Sequence, residues 1–144
     1  MILLDTSGLL AALDESQRHH FECAKVLQEA PPPLLLSPFV LAELDYLLMR
    51  HLGRRAQGAL LEEIARGAYR LEGFDAADVA RAKEVIEKYE DLDVGLADAS
   101  LVVLAERHTI SEVLTLDQRH FRALRFARRR RFRILPFDIG AKPP

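Results

Sequence analysis

The chain has 144 residues, 49% of them hydrophobic, with one cysteine and a formal net charge of −2 at neutral pH. That length fits a single domain, 1–144, with a sizeable core, and the lone Cys23 excludes an internal disulfide and any cysteine-based metal site. No apolar run approaches the roughly 20 residues that cross a bilayer, and the opening segment MILLDTSGLL has no basic region, so a soluble cytoplasmic protein with no membrane contact is expected.

Ile2–Leu4 is a short apolar run ending at Asp5, with Thr6, Ser7 and Gly8 after it, which reads as a buried strand turning into a helix. Residues 17–29 read as a helix with Phe21, Ala24 and Leu27 on its apolar face, stopped by Pro31, Pro32 and Pro33. Leu34–Leu36 is a second strand. Ser37 and Pro38 are an N-cap and a first-turn proline, and Val40, Leu41, Leu44, Leu47 and Leu48 give helical periodicity as far as Gly53. Residues 54–66 complete a helical hairpin that offers Leu52, Leu60 and Leu61 to a partner. Strands are expected at 69–72, 112–116 and 133–135, with a helix at 75–89 carrying Val79, Ala82 and Ile86 on one face. The helix at 96–106 is apolar nearly all round and so belongs in the centre of the domain. Strands alternating with helices imply a three-layer α/β/α domain with a mainly parallel central sheet, whose ligands bind beyond the carboxyl ends of the strands.

Asp5 and Asp117 both fall at such ends, Glu43 borders the apolar stripe of its helix, and Asp98 has Leu101 and Val102 three and four residues on. Each has a plain structural explanation: an N-cap for Asp5 or Asp117, a solvated flank for Glu43, and the helix dipole or an ion pair for Asp98. Together they make sense as one cluster. Two carboxylates about 4 Å apart repel by roughly 4 kcal/mol at an effective dielectric near 20, so a gathered set calls for a cation. Oxygen donors without paired histidines suit Mg²⁺ or Mn²⁺ better than Zn²⁺. Asp91 and Asp93 are spare acids, Asp93 as a cap for the next helix. The five histidines, His120 among them, show no metalloprotease spacing and read as surface or helix-end residues.

Charge is unevenly distributed. Residues 119–144 carry 9 Lys/Arg against 1 acid, and residues 1–118 carry 11 against 21. A basic edge beside an acidic body implies a polyanionic partner, nucleic acid first. Arg119, Arg122, Arg128, Arg129 and Arg130 are the expected RNA contacts, while the interleaved Phe121, Phe126 and Phe132 read as core.

The segments ILLDTSGLLAAL, SPFVLAELDYLL, YEDLDVGLADASLVVLAER and VLTLDQRHF, in that order, resemble PIN-domain ribonucleases, specifically VapC-type toxins. The resemblance implies Asp5, Glu43, Asp98 and Asp117 as catalytic and metal-binding acids, with Thr6, Ser7 and Thr115 as polar neighbours. It also implies Mg²⁺- or Mn²⁺-dependent cleavage of RNA, inhibition by a cognate antitoxin, and a homodimer. Two other readings compete. A phosphoryl-accepting domain needs a lysine near the site, and Lys25, Lys83, Lys88 and Lys142 fall on helices or in the tail. A catalytically silent nucleic-acid-binding module would use the arginine edge alone.

Overall fold

The computed structural model describes residues 1–141. β1 (Ile2–Leu4) is the centre of a five-stranded sheet in which it pairs with β2 (Leu34–Leu36) on one side and β4 (Glu112–Leu114) on the other. β3 (Arg70–Leu71) extends the sheet beyond β2, and β7 (Arg133–Leu135) extends it beyond β4, giving the order β3-β2-β1-β4-β7 with every pair parallel. The triplets Ile2–Leu4 and Leu34–Leu36 are apolar throughout because both faces of this sheet are covered, so no alternation is needed.

The connections from β1 to β2 and from β2 to β3 supply α1 (Thr6–Leu13), α2 (His20–Glu29), α3 (Pro38–Leu52) and α4 (Arg54–Ala65), with α1 packed on α2 and α3, and α3 on α4. The return from β3 to β4 supplies α5 (Ala76–Lys88) and α6 (Leu96–His108), packed on each other. Right-handed crossovers in opposite directions put these two groups on opposite faces, which makes the expected three layers. α6 is the central helix, with Ala99 to Ala105 buried without interruption.

Local chemistry accounts for the boundaries. Ser37 Oγ accepts from Phe39 N at 3.2 Å and Pro38 opens α3, as its sequence requires. Asp75 and Asp78 form a reciprocal capping box at the start of α5. Gly8 is fixed by contact, since a Cβ there would lie 2.4 Å from the Leu114 carbonyl oxygen; its absence lets α1 sit directly on β4.

Several expectations shift. α2 begins at His20 rather than Gln17 and buries Cys23 and Val26, leaving Phe21 74% exposed. α5 buries Ala82 and Val85, while Val79 faces water. Leu60 is in the core, so of the three leucines expected to meet a partner Leu52 and Leu61 remain exposed. Asp93 does not cap the helix that follows: it ends a short 3-10 turn (Glu90–Leu92) in a left-handed conformation, and Gly95 is the N-cap of α6. A further helix, α7 (Gln118–Ala123), and a two-stranded hairpin, β5 (Arg125–Phe126) with β6 (Arg130–Arg131), fill the arginine-rich segment. That segment is too short and too charged to show helical periodicity, and its core is supplied by Phe121, Phe126 and Phe132, all buried, with the Phe132 ring against both others.

Candidate active site

A cleft of about 230 Å³ opens at the carboxyl ends of β1 and β4, lined by Asp5, Thr6, Ser7, Glu43, Gly95, Leu96, Ala97, Asp98 and Asp117. The four acids singled out in the sequence thus surround one space, although they come from four separate elements. Asp5 follows β1, Glu43 is on α3, Asp98 is in the first turn of α6 and Asp117 caps α7.

Asp5 is 5% exposed and tightly held. Its Oδ2 accepts from Ser7 Oγ at 2.7 Å and Thr115 Oγ1 at 2.6 Å, which leaves Oδ1 with no side-chain donor. Both hydroxyls are themselves fixed: Ser7 Oγ accepts from Leu116 N at 2.9 Å, and Thr115 Oγ1 from Asp117 N at 2.9 Å. Burial raises the Asp5 carboxyl above its ordinary pKa, against the lowering effect of the Thr115 and Ser7 hydrogen bonds. Burial also lifts Asp98, helped by the neighbouring Asp5 charge and opposed by His120, to about 6. Glu43 is exposed at the rim, with no hydrogen-bond or ion-pair partner among the described residues.

His120 belongs to this site, contrary to the expectation of a surface histidine. Its Nδ1 lies 2.9 Å from Asp98 Oδ2 and 3.0 Å from Asp117 Oδ2, its Nε2 is 2.6 Å from the Leu92 carbonyl oxygen, and its backbone N donates to Asp117 Oδ1 at 3.0 Å. A carbonyl oxygen only accepts, so Nε2 carries a hydrogen. The imidazole therefore bridges two carboxylates from different helices and ties them to the 3-10 turn. The available sequence signal was position: three residues after a helix-capping aspartate, a side chain can fold back over the cap.

The donor set around the cleft is all oxygen, anionic and without a Lys or Arg lining it. Thr6, on the same wall, has a buried hydroxyl with no hydrogen-bond partner among the described residues. Both observations fit a hard divalent cation. As they stand, no three Asp, Glu, His or Cys side chains among the described residues are arranged to hold one, because Asp98 and Asp117 are turned onto His120 and Glu43 stands at the rim.

The expected RNA contacts divide. Arg119 is exposed and unpaired among the described residues. Arg122 is paired, with Nη1 and Nη2 each 2.7 Å from the Asp138 carboxylate. Arg128, Arg129 and Arg130 are exposed on the β5–β6 hairpin, at the other end of α7 from Asp117. Asp91 is exposed and Asp93 lines a different depression, so neither competes with the four acids.

A parallel sheet with a carboxylate cleft at the strand ends places a ligand site where open α/β domains carry one, and comparison with known proteins makes the class specific. The sequence pattern of the PIN domain matches residues 2–127. The ribonuclease VapC26 of Mycobacterium tuberculosis is 41% identical over 135 residues, which cover 94% of this chain and 100% of that protein. The chain belongs to the PIN-domain family, in its VapC branch. Among solved structures, Mycobacterium tuberculosis VapC20, described as a sarcin-ricin loop cleaving toxin, matches with a TM-score of 0.76 at 24% identity over 82% of this chain and 91% of that one. A toxin–antitoxin complex from Klebsiella pneumoniae matches with a TM-score of 0.64 at 21% identity over 86% and 92%. At those identities the two structures speak to the fold alone.

Proposed function

We propose that this protein is a metal-dependent endoribonuclease, the toxin of a toxin–antitoxin pair, which hydrolyses RNA phosphodiester bonds at the Asp5–Glu43–Asp98–Asp117 cleft. The observation that carries the reading is the convergence of four acids from separate elements on one cleft lined by no Lys or Arg. A Mg²⁺ or Mn²⁺ ion held by Asp5, Glu43 and Asp98 would activate water for in-line attack on phosphorus and stabilise the departing oxygen. Ser7 and Thr115 fix the orientation of Asp5 through two hydrogen bonds to one oxygen, leaving the other free for ligation. His120 holds Asp98 against Asp117 and is a positioning residue; both Asp117 oxygens face His120, so Asp117 acts first as the partner that places it. Hydrolysis in this sense leaves a 5′-phosphate and a 3′-hydroxyl.

The arginine edge supplies the electrostatic attraction for RNA that the acidic body lacks. A cognate antitoxin and a second copy of the chain are the protein partners. An apolar groove of about 160 Å³ between α1, α3 and α4, lined by Leu13, Leu48, Leu52, Ala56, Ala59 and Leu60, is a surface suited to an amphipathic partner helix. No helix among the described residues is long and apolar enough to cross a membrane, and the cytoplasm is where such a substrate is found.

The test is cleavage of end-labelled RNA by antitoxin-free protein with Mn²⁺, Mg²⁺ or chelator. Discrete products that require metal and fall by about a hundredfold or more in Asp98→Asn, equivalent to several kcal/mol of lost transition-state stabilisation, are expected. Intact RNA in every lane, with no metal binding, would instead favour the silent binding module, a reading that draws on the absence, among the described residues, of three acid, histidine or cysteine side chains placed to hold an ion.

A further inference from the structure

The β5–β6 hairpin turns at Ala127–Arg130, closed by Arg130 N donating to Ala127 O at 3.1 Å. Its two central residues have positive φ, 43° at Arg128 and 70° at Arg129. This is the φ signature of a type I′ turn, where Asn and Gly avoid the steric clash that a long side chain meets. Two arginines at those positions work against the fold locally. Backbone strain of this kind persists where the side chains serve something else.

The charges are also uncompensated. Arg70, Arg81, Arg107, Arg122 and Arg133 each have a carboxylate partner. Arg128, Arg129, Arg130 and Arg131 are exposed and have none among the described residues. The one acid of the basic segment, Asp138, is taken by Arg122 and by Ile134 N. The platform beneath is firm: Phe126 and Phe132 are buried in ring contact, the Arg130 guanidinium lies 5.2 Å from the Phe126 ring centre, and Arg125 Nη1 donates to the carbonyls of Arg122, Ala123 and Leu124. One end of α7 is capped by Asp117 of the acidic cleft and the other leads into this hairpin, and six helical residues separate them by about 9 Å along the axis.

We propose that the Arg128–Arg131 hairpin is a second RNA contact, a sequence-independent clamp on the phosphates of the strand that runs out of the acidic cleft. Guanidinium groups match phosphate oxygens in pairs, and contacts to the backbone set register without reading bases. The inference rests on the ribonuclease reading for its choice of polyanion, and it adds where the strand is held.

The experiment measures binding of a short unstructured labelled RNA with chelator present, so that nothing is cut, across a salt series. The double variant Arg128→Asn/Arg129→Gly restores the residues the turn prefers. It should melt about 3 °C higher than wild type and bind RNA more weakly, with the slope of log affinity against log salt reduced by about 1 to 1.5 for two charges lost on a single strand. Arg128→Lys/Arg129→Lys keeps the charge and should keep the slope. Wild-type affinity and slope in the Asn/Gly variant overturn the clamp. If that same variant has lost binding to a short polyglutamate peptide, the occupant is an acidic protein segment instead. Cleavage by wild type is scored separately: an active nuclease with an indifferent hairpin removes this inference alone, and a salt-sensitive hairpin on an inactive protein removes the nuclease reading alone.

Discussion

Two buried carboxylates at strand ends of the same sheet are treated in opposite ways. Glu72, just past β3 and 7% exposed, has cations around it: His108 Nε2 at 2.8 Å, Arg107 Nη1 at 3.3 Å and, by distance rather than aligned hydrogen bonding, Arg70 Nε at 2.7 Å. Burial pushes its carboxyl up, but the His108 hydrogen bond and charge, the Arg70 charge and the Arg107 hydrogen bond outweigh burial and leave it below its ordinary value. Asp5, past β1 and 5% exposed, has two hydroxyls and more acids for company, and its carboxyl is raised. Both side chains are nearly closed to solvent, Asp5 lying the deeper of the two, so exposure alone does not separate structure from function. The difference is whether the fold itself supplies the countercharge. Where it does, the acid is a rivet between β3 and the end of α6; where it does not, the acid is left without a countercharge, as the proposed metal site requires.

The contrast breaks most sharply under paired substitutions. Asp98→Asn should abolish RNA cleavage in a protein that stays folded, whereas Glu72→Gln should keep cleavage per folded molecule and lose about 3 kcal/mol of stability, because two arginines and a histidine are left facing a neutral amide. Urea denaturation beside the cleavage assay checks both; a Glu72 variant of wild-type stability would show that the network carries no net energy.

Titration sharpens the comparison next. Asp98, lifted to about 6, binds its proton more tightly folded than unfolded, so its contribution is fully present near pH 4, is lost as pH rises, and stays lost above about 6. In chelated protein, Asp98→Asn should therefore be neutral at low pH and stabilising by about 3 kcal/mol above neutrality. Glu72 runs the other way: its contribution is present above the ordinary carboxyl pKa and is lost as pH falls through its depressed folded value. Stability curves of the two variants with the same slope against pH would refute the distinction.

The smallest expected effects are at His120. His120→Asn places an amide near the Nδ1 position and keeps Asp98 and Asp117 bridged, so cleavage should stay within a few-fold of wild type. His120→Gln can reach the Leu92 carbonyl but leaves the carboxylates unbridged, and kcat should drop about tenfold, or roughly 1.4 kcal/mol, with KM little changed. Equal losses in both variants would assign His120 to packing.

Much of the fold was written in short patterns. Apolar triplets at Ile2–Leu4 and Leu34–Leu36, the Ser37–Pro38 helix start and the all-round apolar α6 were legible because propensity, capping and continuous hydrophobicity act within a few residues. The acids were legible for the same reason, each standing conspicuously against an apolar segment. Faces of weakly amphipathic helices were not: the burial of Cys23 and Val26 in place of Phe21 depends on where α1 lies, and Gly8 sets that by direct contact with β4.

The chain by itself determined the elements, the acidic set and the imbalance of charge, since these follow from residue type and near spacing. Tertiary structure alone decided which charges are answered. Nothing local distinguishes Arg122, closed on Asp138, from the open arginines of the hairpin, and position after a capping aspartate does not by itself bring Asp98 to His120. Pairing at a distance is a property of the packed chain, because a Coulomb interaction depends on separation in space and on the dielectric around it, and neither exists until the layers have closed.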